Sequence, residues 1–337
     1  MPTLPTLPTV PASSTPPPAV APAGPPPDRD LFAPLMAAAR GLPPLAAAVV
    51  HPCSEAALQA AHEAALDGLI VPILVGPAGR LRVLAASLGI ELSAYRVVDV
   101  PHSHAAAAAA VALVRAGEAE LLMKGSLHTD ELLAAVVDRE LGLRTERRLS
   151  HVFLMDVPAY PKLLMITDAA INILPDLETK RDICQNAIDL ARAIGLVRPK
   201  VAILAAVETV NPKMPSTIDA AALCKMADRD QITGGVLDGP LAMDNAISVE
   251  AARVKGIRSE VAGNPDILLM PDLEAGNILA KQLSFMAGAD AAGVVIGARV
   301  PIVLTSRADN VRARLASCAV AVLLAQARHT AAARAVA

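Results

Sequence analysis

From Leu31 onward, short apolar runs alternate with longer stretches in which apolar residues recur at helical spacing. Strands that alternate with helices of this length predict βαβ units and a parallel sheet. Up to residue 137 the pattern predicts strands at Leu45–Val50, Ile70–Val75, Tyr95–Val100 and Leu121–Met123, and helices at Ser54–Leu66, Ala78–Leu88, His104–Ala116 and Asp130–Val137.

The pattern changes near Leu149. Two strand-like runs, His151–Asp156 and Lys162–Thr167, flank a short segment with two prolines, which predicts an antiparallel hairpin. The α/β rhythm then resumes, with predicted helices at Thr179–Ile194, Ser216–Ala227, Glu274–Ala287 and Ala308–Ala327, and predicted strands at Val201–Ala206, Thr233–Leu237, Ile267–Met270, Ala291–Ile296 and Pro301–Leu304.

This order predicts an α/β fold of two three-layer domains with mainly parallel sheets. Domain I comprises residues 31–148 and 290–330, and domain II, residues 149–289, is inserted into it. Residues 1–27 hold eleven of the 28 prolines, so residues 1–30 are predicted to be a disordered tail that packs no core.

Composition excludes several classes of protein. The formal net charge is −3, so the chain has no overall positive charge to attract nucleic acid. Aromatic residues are only 1% of the chain, which argues against a surface on which bases stack. No uninterrupted apolar run reaches the roughly 20 residues needed to span a bilayer. The four cysteines are scattered and no histidines pair at metal-ligand spacing, which favours a reduced, cytoplasmic protein without a metal.

The most informative junction follows the predicted strand Pro301–Leu304, where Thr305 ends the apolar run and a helical pattern begins at once. Ser306 and Arg307 therefore lie between a strand end and a helix start. Ligands collect at the carboxyl ends of strands in open α/β sheets, and helix N-termini attract anions. Ser306 and Asp309 also have the spacing of a helix capping box, so a purely structural role stays open.

A similar junction follows Leu121–Met123, where Lys124, Gly125 and Ser126 precede a helix. A lysine at a strand end can neutralise a phosphate, and a glycine lets backbone N–H groups approach it. The Walker A spacing is absent, and a solvated loop charge is the alternative for Lys124.

A basic run, residues 142–148, lies at the predicted domain junction. Most charge runs are solvated faces, and that is the alternative here as well. Arg144 would open onto the cleft between the domains, so Arg144 and the adjacent Thr145 are candidates for phosphate binding.

Two further turns carry polar groups after predicted strands. Asp238 directly follows one strand, and Asn277 belongs to an acidic turn that leads into a helix. Both are candidate substrate-binding residues, and ordinary turn and cap chemistry is the alternative for each. No Gly-x-Gly-x-x-Gly follows the first strand, which disfavours a dinucleotide-binding domain of Rossmann type.

At these positions the chain resembles the phosphate acetyltransferase/phosphate butyryltransferase family, over roughly residues 45–324. The resemblance is dense after Lys124. It is carried by KGSLHTDELL (Lys124–Leu133), GLRTERRLSHVF (Gly142–Phe153), VNPKMPSTIDAAAL (Val210–Leu223), ITGGVLDGPLAMDNAIS (Ile232–Ser248), DILLMPDLEAGN (Asp266–Asn277) and PIVLTSRAD (Pro301–Asp309).

The resemblance implies the reaction acyl-CoA + phosphate ⇌ acyl phosphate + CoA, with coenzyme A as a substrate and no bound cofactor or metal. It also implies a site in the cleft between two α/β domains, an architecture similar to that of the isocitrate and isopropylmalate dehydrogenases. A homodimer or larger homo-oligomer in the cytoplasm is expected, without a nucleic-acid or membrane partner.

By matching positions, Ser306 and Arg307 look like the Ser-Arg pair of the family's active site, and Arg144 looks like an arginine that holds the phosphoryl group. In the acetyl branch an aspartate acts as the base, and its position falls here on Ala313. The SRAD form is similar to the butyryl branch. It leaves the base open and makes Asp309 only a candidate.

The chemistry agrees with this resemblance. Thiol attack on an acyl phosphate needs a positioned thiol, a base and a charge clamp on the departing phosphate. Arg144, Arg307 and Lys124 would supply the clamp. Covalent catalysis through a protein cysteine is disfavoured, because no cysteine is expected at any of these strand ends.

Two alternatives stay open. A metal- and NAD(P)-dependent dehydrogenase would use Asp238, Asp244 and Asp272 as metal ligands. A non-catalytic acyl-CoA sensor would keep the cleft without turnover; the missing acetyl-branch aspartate favours it, as does Asp230 where the family is expected to carry glycine.

Overall fold

A computed structural model describes residues 29–304 and 310–336 of the chain. Its strands are β1 (Leu45–Val50), β2 (Ile70–Gly76), β3 (Arg96–Asp99), β4 (Leu121–Lys124), β5 (Ser150–Asp156), β6 (Leu164–Thr167), β7 (Lys200–Leu204), β8 (Val236–Leu241), β9 (Ile267–Leu269), β10 (Asp290–Ile296) and β11 (Ile302–Val303). Its α-helices are α1 (Ala33–Arg40), α2 (Glu55–Leu66), α3 (Ala78–Leu88), α4 (Ser103–Arg115), α5 (Thr129–Val136), α6 (Leu177–Ala193), α7 (Pro215–Asp228), α8 (Met243–Ile247), α9 (Val249–Val254), α10 (Leu273–Met286) and α11 (Val311–Val336).

The strands form one continuous sheet in the order β3-β2-β1-β4-β11-β10-β5-β6-β9-β7-β8. Strands β1 to β4 and β11 form one parallel group, and β6, β9, β7 and β8 form another. The antiparallel pairs β11–β10, β10–β5 and β5–β6 join the groups. The two groups therefore run in opposite directions, and their carboxyl ends lie at opposite edges of the sheet.

Each of these two edges takes its name from one residue that lies on it. The Lys124 edge holds the carboxyl ends of β1 to β4 and β11, and the Thr167 edge holds those of β6, β9, β7 and β8. Because β11 is parallel to β4, its amino end, at Ile302, faces the Thr167 edge.

Helices cover both faces of the sheet, which explains why β1 is apolar without interruption. Along β1, Ala47 and Val49 pack into one hydrophobic core, and Ala48 and Val50 pack into the other. All four side chains are fully buried. A charged side chain on either face of this strand would therefore have no route to water.

The α/β fold class is confirmed, and the predicted antiparallel hairpin is β5–β6, with Phe153 opposite Ile166. The prediction for the strand before Asp238 was wrong, because β8 is shifted and contains this residue. The sequence pattern also did not predict α1, in which Ala39 is buried. The division into domains at residues 148/149 and 289/290 stays a prediction.

The predicted tail, residues 1–30, lies outside the described residues except for its last two. Those two already contact the fold: the Arg29 guanidinium donates to Asp156 Oδ1 over 3.2 Å, and Asp30 pairs with Arg312. The packed part of the chain therefore begins at least two residues earlier than the sequence pattern predicts.

Helix α11 contains one stretch, Val311–Ala333, that is long and apolar enough by composition to cross a membrane. Half of its most apolar window is buried inside the protein. Ala319 and Val320 belong to the same core as β1, and Ser317 Oγ accepts a hydrogen bond from the buried N–H of Gly293. These contacts are those of a core helix.

A buried polar cluster lies where β5 begins and β6 ends, at the Thr167 edge. The His151 ring is buried, and its Nδ1 has no hydrogen-bond partner among the described residues. Burial lowers the pKa of His151 to about 4, and the nearby Asp168 carboxylate opposes part of that effect. The imidazole is therefore neutral in the folded protein at neutral pH.

This depressed pKa predicts a loss of stability in mild acid. Between pH 6.5 and 4 the unfolded chain binds a proton at His151 that the folded chain excludes, so the free energy of unfolding falls as the pH falls through this window. From pH 7 to pH 5 the contribution of His151 is about 2 kcal/mol. Urea unfolding followed by circular dichroism at both pH values measures it.

The matched variant is His151→Gln, in which the titrating group is gone. Its free energy of unfolding should fall by about 2 kcal/mol less than that of the wild type over the same pH interval. Equal losses in the two proteins would show that His151 does not couple folding to pH.

Candidate active site

The segment after β4 packs directly on the end of β1 at the Lys124 edge. The backbone N–H of Gly125 donates to Val50 O over 2.9 Å, and that of Ser126 donates to His51 O over 2.9 Å. This contact requires glycine: a Cβ at position 125 would lie 2.4 Å from Val50 O and 2.5 Å from His51 O. The close approach of two strand ends therefore explains why the sequence has a glycine here.

Ser126 connects three chain segments. Its Oγ donates to His51 O over 2.8 Å, accepts from the backbone N–H of Cys53 over 3.2 Å, and lies 3.3 Å from His51 Nδ1. These contacts hold a hydroxyl and an imidazole side by side at the edge where the sequence predicts phosphate binding.

Lys124 is the last residue of β4, and its Nζ approaches the carbonyl of Gly125 at 3.5 Å. Strand β11 is parallel to β4 with Val303 opposite Met123, so Leu304 follows at the level of Lys124. The structure thus brings Lys124, Gly125 and Ser126 together beside the point where the chain enters residues 305–309.

The predicted catalytic residues Ser306, Arg307 and Asp309 lie outside the described residues, and their roles stay predictions. The helix that follows is described from Val311. The backbone N–H of Ala313 donates to Asn310 Oδ1 over 2.8 Å. A methyl side chain thus occupies the position to which the resemblance assigns the acetyl-branch base.

Arg144 and Thr145 lie at the opposite edge from Lys124. Arg144 is exposed and forms an isolated antiparallel bridge with Ala298, in the segment between β10 and β11. Thr145 Oγ1 donates to Gly297 O over 2.7 Å. Because this segment precedes β11 at the Thr167 edge, the length of β4, about 10 Å, separates these backbones from Lys124.

A polar cavity of about 270 Å³ adjoins Thr145. Arg328 of α11 reaches into it and donates to Ala298 O over 3.1 Å, and burial holds the pKa of Arg328 below its ordinary value. The cavity is lined by Thr145, Glu146, Arg147, Asn186, Asp189, Gly297, Ala298, Arg299 and Arg328. The basic run thus forms a cluster separate from the Lys124 edge.

Asp238 lies within β8, one of the two edge strands of the sheet, and its Oδ1 accepts from the N–H of Gly239 over 2.9 Å. Seven strand spacings separate β8 from β4, which is about 34 Å along the sheet. Within one chain Asp238 and Lys124 therefore do not meet.

Asn277 lies in the first turns of α10, where its Nδ2 donates to Ala169 O over 3.0 Å. Asp272 caps the same helix by accepting from the N–H of Ala275 over 2.8 Å. Asp244 pairs with Lys255 over 3.2 Å. Across residues 29–304 and 310–336, no group of three or more His, Cys, Asp or Glu side chains could hold a metal ion.

Two residues at the Lys124 edge escaped the sequence analysis. Cys53 does lie at a strand end, but burial raises the pKa of its thiol, which opposes the thiolate that covalent catalysis needs. His51 follows β1 directly and contacts Ser126. The available signal was a histidine immediately after the first buried strand.

Comparison with known proteins identifies the class to which this fold and site belong. Residues 102–322 match the family model described as "Phosphate acetyl/butaryl transferase". The chain belongs to this family of transferases.

Individual relatives narrow the comparison. The chain is 66% identical over 297 residues to a phosphate acetyltransferase of Rhizobium meliloti, covering 88% of this chain and 94% of the relative. It is 44% identical over 271 residues to a phosphate butyryltransferase of Clostridium acetobutylicum, covering 80% and 90%. The match to relatives of both branches confirms the resemblance predicted from the motifs.

Solved structures agree. A branched-chain phosphotransacylase from Enterococcus faecalis V583 superposes with a TM-score of 0.72 at 30% identity, covering 83% of this chain and 99% of that one. A 4-hydroxythreonine-4-phosphate dehydrogenase from Klebsiella pneumoniae, at 15% identity, superposes with a TM-score of 0.54 over 84% of this chain and all of that one. The second likeness concerns the fold alone and confirms the dehydrogenase-like architecture.

Proposed function

We propose that this protein transfers a short acyl group between coenzyme A and inorganic phosphate, with acetyl as the preferred group. The observation that carries the proposal is the 66% identity to a phosphate acetyltransferase over 88% of this chain. The dehydrogenase alternative is set aside, because its three aspartates form no common cluster and the chain belongs to a transferase family.

The proposed reaction is direct attack by the coenzyme A thiol on an acyl phosphate, with both substrates bound together. The phosphoryl group binds at the Lys124 edge, where the ammonium of Lys124 and the guanidinium of Arg307 neutralise its charge. Ser306 donates a hydrogen bond to the reacting carbonyl or to the departing phosphate. Arg144 keeps its predicted phosphate-binding role only if ligand binding brings it to the Lys124 edge.

The remaining expectations are also proposals. Coenzyme A is a substrate, no cofactor is bound, and the protein acts as a homodimer or larger homo-oligomer in the cytoplasm. Its partners are small molecules, without nucleic acid or membrane. The active site lies between a domain of residues 31–148 and 290–330 and a domain of residues 149–289.

The first test is phosphate-dependent release of free thiol from acetyl-, propionyl- and butyryl-CoA, with and without a chelator. We expect release that requires phosphate, ignores the chelator and is fastest with acetyl-CoA. Fastest release from butyryl-CoA would overturn the acyl preference. No release from any of the three, together with tight coenzyme A binding, would favour the sensor.

A further inference from the structure

His51 has an unusual backbone at the Lys124 edge. Its φ of +53° lies in the left-handed region, which residues other than glycine rarely adopt. Three donors hold its carbonyl oxygen: the N–H of Cys53 at 2.8 Å, the N–H of Ser126 at 2.9 Å and Ser126 Oγ at 2.8 Å. Strained residues that are so firmly fixed by their surroundings cluster at active sites.

The hydrogen bonds of Ser126 determine which ring nitrogen of His51 carries the proton. A serine hydroxyl has one hydrogen, and Ser126 directs it to His51 O. The ring contact, 3.3 Å between Ser126 Oγ and His51 Nδ1, is therefore made by an Nδ1–H that donates to the hydroxyl. In a neutral imidazole this leaves Nε2 with its lone pair as a proton acceptor.

The surroundings keep the ring neutral. Burial lowers the pKa of His51 below its ordinary value, the guanidinium of Arg80 lowers it further, and the Glu131 carboxylate partly opposes both effects. The ammonium of Lys124 belongs to the adjacent strand end, and the Cys53 thiol, whose pKa burial raises, is uncharged. His51 as a whole remains only partly buried.

The proposed reaction needs a base at this edge. A thiol must lose its proton to attack an acyl phosphate, and the position of the acetyl-branch aspartate holds Ala313. Strand β1 neighbours β4, and β4 neighbours β11, which leads into residues 305–309. A base directly after β1 therefore lies at the same sheet edge as a phosphoryl group held near Lys124.

We propose that His51 Nε2 is the general base that accepts the coenzyme A thiol proton, with Ser126 fixing the ring and its tautomer. The proposal rests on the proposed acyl transfer. As the sulfur forms its bond to the acyl carbon, the carbon–oxygen bond to phosphate breaks and its electron pair stays on the phosphate. In the reverse direction the protonated ring returns its proton to the departing thiolate.

The test compares wild type, His51→Asn and His329→Asn in the direction of acyl-CoA synthesis. Asparagine tolerates the left-handed backbone and its amide can still donate to Ser126, but it cannot accept a thiol proton at neutral pH. We expect His51→Asn to fold normally, to lose about a hundredfold or more in kcat, and to lose the rise of kcat/KM with pH below neutrality. His329, exposed and paired with Glu120, should tolerate the change.

The outcomes separate the two proposals. A wild type without phosphate-dependent turnover overturns the proposed function and this role with it. An active wild type with an unaffected His51→Asn overturns the role of His51 alone. Lower kcat with the pH limb retained also overturns it, because another group then takes the proton. Should the variant misfold, nitrogen-15 chemical shifts of labelled wild-type histidine decide: a proton on Nε2 rather than Nδ1 contradicts the proposal.

Discussion

Arg307→Ala is expected to lower kcat/KM for acyl transfer by roughly a hundredfold or more, equivalent to about 3 kcal/mol of transition-state stabilisation. A guanidinium binds phosphate through two parallel N–H donors, a geometry that no other side chain supplies. In the variant, Lys124 would be the remaining positive charge beside the departing phosphate at this edge. Steady-state kinetics with acetyl-CoA and phosphate measure the effect.

The matched control is Arg198→Ala, which removes an exposed arginine whose partner, Glu260, is equally exposed. Its kinetics should equal those of the wild type. If Arg307→Ala folds and keeps wild-type kinetics, the proposed charge clamp is wrong.

Ser306→Ala distinguishes a helix-capping role of Ser306 from a catalytic one. If Ser306 only caps the helix, its loss costs on the order of 1 kcal/mol of stability and leaves activity intact while the protein stays folded.

Gly125→Ala is expected to destabilise the fold by about 2–4 kcal/mol and to lower activity together with stability. The added Cβ would lie 2.4 Å from Val50 O and 2.6 Å from the His51 carbonyl carbon. Both obstacles are backbone atoms, so the end of β4 must move away from β1. That movement lengthens the hydrogen bonds by which Ser126 holds His51.

Gly79→Ala provides the control, because Gly79 lies in α3 and a Cβ there meets no atom within 4 Å. It should stabilise the protein by about 0.5–1 kcal/mol, since alanine has a higher helix propensity than glycine. Thermal and urea unfolding measure both variants. If Gly125→Ala is as stable as the wild type, the ends of β1 and β4 are not packed as closely as described, and the predicted clash is wrong.

The two edges of the sheet divide the predicted site residues. Lys124, Gly125 and Ser126 share the Lys124 edge, whereas Arg144 pairs with Ala298 at the other edge. Residues of two different family motifs therefore lie at opposite edges of the sheet within a single chain. Kinetics of Arg144→Ala would show whether this arginine reaches the phosphate during turnover.

Much of the fold could be predicted from local pattern. The α/β rhythm, the β5–β6 hairpin and the strand end at Lys124 follow from apolar runs and turn residues close together in sequence. Asp238 was misplaced because its own strand continues through glycine and proline, residues that usually end one. The family resemblance, carried by the motifs, was confirmed by the match over residues 102–322.

The sequence by itself determined the fold class, the family and a lysine and serine at the end of a buried strand, because each depends on neighbouring residues or on whole motifs. Only the tertiary structure decided that the two parallel groups run in opposite directions, since the antiparallel pairing of β10 with β5 joins segments far apart in the chain. The same holds for His51 and Ser126, 75 residues apart. Their contact, and the strained backbone that it fixes, arise because parallel pairing of β1 with β4 brings two strand ends together.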